Sequence, residues 1–103
     1  MEKLVDIAKV LRSKNSGPFS FTLDILFANQ DDYNRVKDSN VINKNTICDL
    51  YGINENEISN FVFFEKGLGI KITINRDISS GTSKDRDVYG AQQHAPLFNI
   101  LIP

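Results

Sequence analysis

The chain has 103 residues, 41% of them apolar and 24% charged, with a formal net charge of −1. That length suits one domain, residues 1–103, with a single core and little room for a deep pocket of its own. Without a basic excess the chain does not read as a nucleic-acid binder, and no segment approaches the ~20 apolar residues of a membrane span.

The opening "MEKLVDIAKVLRSK" lacks the apolar core of a signal peptide, so the cytoplasm is the expected location. Its cations Lys3, Lys9, Arg12 and Lys14 outnumber Glu2 and Asp6, a bias that a solvated face would also show. Residues 4–11, "LVDIAKVL", are expected to form a strand, although Leu4, Ile7, Ala8 and Leu11 also fit a helix. The strand is preferred because "RSKNSGP" then turns the chain into a second strand. In that second strand Phe19, Phe21, Leu23, Ile25 and Phe27 alternate with Ser20, Thr22 and Asp24.

Two short helices follow. "NQDDYNRVKDSN" starts on Asn29 as N-cap, has Asp31 and Asp32 at its positive end, and can close at Asn40 in the left-handed conformation. "INKNTICDLYGI" has Asn43 as cap, Ile42 and Ile47 as a hydrophobic staple, and Gly52 past its last turn. Its expected buried face is Ile47, Leu50 and Tyr51. Cys48 is the only cysteine, so no intrachain disulfide forms, and it reads as a small core residue.

"ISNFVFFEKGLGIKITIN" is a second hairpin, turned at "KGLG". Phe61 and Phe63 face one way and Val62 and Phe64 the other, so that strand is expected to be covered on both sides. Residues 75–90 then form a polar stretch longer than most loops in a compact domain. The closing "PLFNILIP" is strongly apolar and should be tied down as a strand or docked on a partner. Hairpin, two helices and hairpin predict an α+β two-layer sandwich: a mainly antiparallel sheet with two short helices on one face.

No familiar catalytic or cofactor signature is present. One cysteine and one histidine cannot close a zinc site, and neither a phosphate-binding glycine loop nor a nucleophile elbow occurs. Two segments hold concentrated polar chemistry. The first is "RSKN", where Arg12, Ser13, Lys14 and Asn15 put two cations and several donors on one expected turn, suited to a carboxylate or phosphate. A plain solvated hairpin tip would have the same composition. The second is "DVYGAQQHAP", with Tyr89, Gln92, Gln93 and His94 held between Gly90 and Pro96. His94 can act as an acid–base group, or its hydrogen bonds can pin the tail.

The blocks "AKVLRSKNSGPFSFTLDILF", "VFFEKGLGIKITI" and "DVYGAQQHAPLFNILIP" resemble the small bacterial proteins of domain-of-unknown-function family 4387. The layout is also similar, more weakly, to the C-terminal ferredoxin-like domain of acyclic terpene utilisation proteins, which is fused there to a large domain. The chain departs from those proteins at the first turn, where Lys14-Asn15-Ser16-Gly17 replaces their Asp-Lys-Gly run. The resemblance implies a fold that is ferredoxin-like in the loose sense. It also implies a detached small subunit of a two-part catabolic enzyme that acts on a branched acid or its thioester, docking on a large acyclic-terpene-utilisation-like partner. Without a nucleophile–base–orienter set or a metal cluster, the chain is not expected to be active alone. The alternative is a free-standing, oligomeric small-molecule enzyme or binding domain using His94 and the Arg12–Asn15 segment. A regulatory or structural module without a ligand is a third reading.

Overall fold

The computed structural model describes residues 1–17, 20–75 and 95–103. In chain order it contains β1 (Glu2–Lys3), α1 (Leu4–Ile7), β2 (Val10–Gly17), β3 (Ser20–Leu26), α2 (Gln30–Ser39) and α3 (Lys44–Tyr51). After a short 3-10 turn come β4 (Ile58–Phe64) and β5 (Gly69–Asn75), then a second 3-10 turn (Ala95–Leu97) and β6 (Leu101–Ile102). The main sheet is antiparallel with strand order β2-β3-β5-β4, and β1 and β6 form a separate antiparallel pair.

Alternation sets the core. Across β3 and β5, Phe21 faces Ile74, Leu23 faces Ile72 and Ile25 faces Ile70. Because a strand's side chains alternate with period two, all six fall on one face, and none is more than 1% exposed. The two helices cover that face. Phe21 stacks against Tyr51 of α3 with ring centroids 5.9 Å apart, and Phe27 meets Tyr33 of α2 edge-on at 6.2 Å. The result is the expected two-layer α+β sandwich.

Local signals fix both helices. The Asn29 side chain accepts the Asp32 N–H at 2.8 Å, and the Asn43 side chain accepts the Thr46 N–H at 2.9 Å, satisfying donors that a helix start leaves orphaned. Asn40 ends α2 at φ 59° and Gly52 ends α3 at φ 63°. The Ile53 N–H then returns to the Cys48 carbonyl at 3.1 Å. Ile42 and Ile47 are buried on either side of the Asn43 cap, as a staple requires. Leu50 differs from expectation: it is 38% exposed, and Ile47 and Tyr51 alone form the buried face of α3.

Four further expectations are corrected. Residues 4–7 form a single helical turn rather than a strand, because Leu4 and Ile7 bury together at helical spacing; the strand begins at Val10. Arg12 to Asn15 lie within β2 rather than on a turn, each paired with a residue of β3, and the ladder slips only between Asn15 and Gly17. Among the described residues β4 is an edge strand rather than one covered on both faces: Val62 is half-buried and Phe64 is 46% exposed. The apolar tail forms a 3-10 turn and only two residues of strand, and that strand pairs with β1, not with the main sheet.

The tail is nonetheless firmly held. Leu97, Ile100 and Ile102 are buried in the shared core. The Leu4 N–H donates to the Ile100 carbonyl at 2.7 Å, and Arg35 of α2 donates to the Pro103 carbonyl at 3.0 Å. At the β4–β5 turn the left-handed residue is Leu68, φ 52°. Gly69 is needed for space: a Cβ there would lie 2.6 Å from Leu26 Cδ2 and 3.1 Å from the Ile25 carbonyl oxygen.

One core residue is imperfectly satisfied. Tyr33 is fully buried, and its hydroxyl has no hydrogen-bond partner among the described residues. Burial also raises its pKa, so the phenol stays protonated. An unpaired buried polar group costs about 1–3 kcal/mol. Tyr33→Phe should therefore melt at or above the wild-type temperature. A loss of more than about 1 kcal/mol in a denaturant titration would show instead that the hydroxyl makes a stabilising bond.

Candidate functional site on the outer sheet face

Pairing register divides the "RSKN" residues into two sets. Ser13 and Asn15 lie opposite Leu23 and Phe21, on the side of the sheet that carries the core. Arg12 and Lys14 lie opposite Asp24 and Thr22, on the outer side. On β5, Lys71 is opposite Asp24 and Thr73 is opposite Thr22. On β4, Val62 is opposite Lys71 and Asn60 is opposite Thr73.

The outer face thus brings together Arg12, Lys14 and Lys71 around one carboxylate, Asp24. Three cations against one anion give this patch a formal charge of 3 − 1 = +2, on a chain whose net charge is −1. Arg12 Nε donates to Asp24 Oδ2 at 3.2 Å; the Arg12 side chain is 60% exposed and that of Asp24 only 16%. The bond orients the guanidinium. An exposed ion pair of this kind stabilises the fold by no more than about 1 kcal/mol. Beside it, the Thr22 and Thr73 hydroxyls meet at 3.2 Å. Cations and hydroxyls on a rigid sheet are groups that bind a carboxylate or phosphate through charge-assisted hydrogen bonds.

Sequence reasoning placed Arg12 and Lys14 among the site residues and missed Lys71 and Asp24. The signal for Lys71 was its place in "IKITI", where it alternates with core isoleucines. That pattern indicates an outward side chain without indicating what stands beside it. Tyr89, Gln92, Gln93 and His94 lie outside the described residues. Cys48 is half-buried, and burial, with lesser contributions from nearby carboxylates, pushes its thiol pKa up. The thiol is thus held in its unreactive protonated form. Among the described residues no group of three His, Cys, Asp or Glu side chains is placed to hold a metal ion. No helix among them is long and apolar enough to cross a membrane.

The sequence profile of the family described as Domain of unknown function (DUF4387) matches residues 4–101. The chain belongs to the DUF4387 family. No curated protein and no solved structure matches it. The DUF4387 match begins at the first residue of α1 and reaches β6. The outer patch therefore lies inside the region that matches the family, as do Leu97 and Ile100 of the tail, while Ile102 and Pro103 lie just past it.

Proposed function

We propose that this DUF4387 member is an accessory small subunit of a two-part catabolic enzyme. It docks on a large acyclic-terpene-utilisation-like protein and contributes an anion-binding site at the interface. The observation that supports this reading is the cluster of Arg12, Lys14 and Lys71 around a single carboxylate on the sheet face opposite the helices. The identity of the partner comes from the weaker resemblance of the chain's layout to the small ferredoxin-like domain of those proteins. The ligand is an anion of the branched-acid or acyl-thioester class, held by charge rather than by a metal. On this reading His94, with Tyr89, Gln92 and Gln93, contributes hydrogen-bonding groups to the ligand or the partner.

Copurification with the large protein, followed by an activity assay on the complex, tests the proposal. Arg12→Ala combined with Lys14→Ala should melt like the wild type, because both side chains are exposed. The same variant should lose ligand binding or complex activity by about 1.5–3 kcal/mol for each charge-assisted contact removed. Unchanged association and activity in the double variant would reduce the patch to a solvated surface. Turnover by the isolated chain, abolished by His94→Ala, would favour a free-standing enzyme.

A further inference from the structure

Among the described residues the main sheet ends in β2 on one side and β4 on the other, and these two edges are built differently. β2, at one edge, carries Arg12 and Lys14 and a slip in its ladder between Asn15 and Gly17. Charged side chains and bulges are common devices that keep an edge strand from pairing with another chain. β4, at the other edge, reads "ISNFVFF" and contains no charged residue and no proline. Its one irregularity, between Ile58 and Asn60, lies at its start. Asn60, Phe61, Val62, Phe63 and Phe64 then run in unbroken register along β5. Phe64 is left 46% exposed.

We infer that β4 is a dimerisation edge, and that it pairs antiparallel with the β4 of a second copy of this chain across a two-fold axis through Val62. The inference does not depend on the accessory-subunit reading. Antiparallel pairing about that residue places Val62 opposite Val62, Phe61 opposite Phe63 and Asn60 opposite Phe64. Within one protomer Phe61 and Phe63 already pack with ring centroids 5.6 Å apart. The dimer joins two such pairs into a cluster of four rings on the helix side of the sheet, and covers the exposed Phe64 on the outer side. Aromatic cross-strand pairs are among the stronger stabilisers of a sheet.

A second copy fits better than an unrelated strand for two reasons. The row of aromatics that β4 needs opposite it is the row that β4 itself presents. Charge also permits it: the strand has none, and the nearest cations, Lys71 on each side, sit one strand inward. They would be about 14 Å apart, three strand spacings of roughly 4.8 Å, which is beyond the screening length of roughly 8–10 Å in ordinary buffer. The isologous contact closes on itself, so it ends at a dimer with an eight-stranded sheet instead of growing into a fibre.

Sedimentation of the full chain at micromolar concentration should show a dimer. Val62→Lys sets two cations face to face on the axis, so it should raise the dimer dissociation constant by roughly tenfold or more. A cross-linking experiment keeps the test decisive if that variant folds poorly. Directly opposed strand residues have Cα atoms close enough for a disulfide. In a Cys48→Ala background, Val62→Cys should oxidise to a covalent dimer and Lys14→Cys, on the other edge, should not. A chain that stays monomeric throughout the micromolar range overturns the inference, as does a dimer that cross-links through position 14 and not through position 62.

Discussion

Ile72→Asp should leave the chain without a cooperative fold at room temperature. Ile72 is fully buried, with Leu23 of β3 on one side and Phe61 of β4 on the other. Losing its burial removes about 1.5–3 kcal/mol. Placing a carboxylate in the same position adds several kcal/mol more, because an isolated charge has no partner in an apolar layer. The cations of this sheet cannot help: Lys71 precedes Ile72 on the strand and so projects from the opposite face. Domains of this size are stable by only about 5–15 kcal/mol, so the two effects together exhaust most or all of the margin. Far-ultraviolet circular dichroism and a urea titration measure the outcome. A cooperative transition within about 2 kcal/mol of the wild type would mean that the Ile72 face is not the core.

Removing residues 97–103 should be at least as damaging, although it touches no central strand. The segment buries Leu97, Ile100 and Ile102, worth together about 5–9 kcal/mol at roughly 1.5–3 kcal/mol per side chain. It also supplies the carbonyl that accepts the Leu4 N–H and the strand that pairs with β1. Arg35 would lose its bond to the Pro103 carbonyl. The shortened chain should be insoluble, or soluble without fixed tertiary packing. Leu101→Ala provides the control, since Leu101 is in the same strand but 49% exposed. That variant should stay within about 0.5 kcal/mol of the wild type. A stable, cooperatively melting truncated chain would show that the tail is an appendage.

These two predictions differ in how readily the sequence led to them. The Ile72 layer was legible because alternation in "IKITI" and "FTLDI" is a local pattern with one physical meaning. The helix boundaries were legible for the same reason: Asn29, Asn43, Asn40 and Gly52 act on their own neighbours. The tail was only half legible. An apolar run predicts burial, but the identity of its strand partner, β1, depends on residues nearly a chain length away. Residues 4–11 misled because Leu4, Ile7, Ala8 and Leu11 satisfy the helical period while their neighbours suit a strand, and tertiary packing decided between them. "RSKN" misled because polar turn-forming residues are also tolerated in an edge strand, where one side of the backbone is free. The outer patch needed the β3–β5 register to bring Lys71 beside Asp24, and no local pattern carries that information.

The pairing of Glu2 with Ile102 and Lys3 with Leu101 has a consequence for biosynthesis. Each hairpin of the main sheet can form from a contiguous stretch as soon as that stretch has been made. The core cannot close before residues 97–102 have been made, because Leu97, Ile100 and Ile102 are part of it. Even with α2 and α3 in place over the sheet, an elongating chain therefore leaves the apolar surface that these three side chains cover exposed until they have been made. Contacts between such distant segments are slow to form, and chains with exposed apolar surface are prone to self-association while they wait. A ribosome that stalls shortly before residue 97 thus releases a product that lacks part of its core, which chaperones must hold.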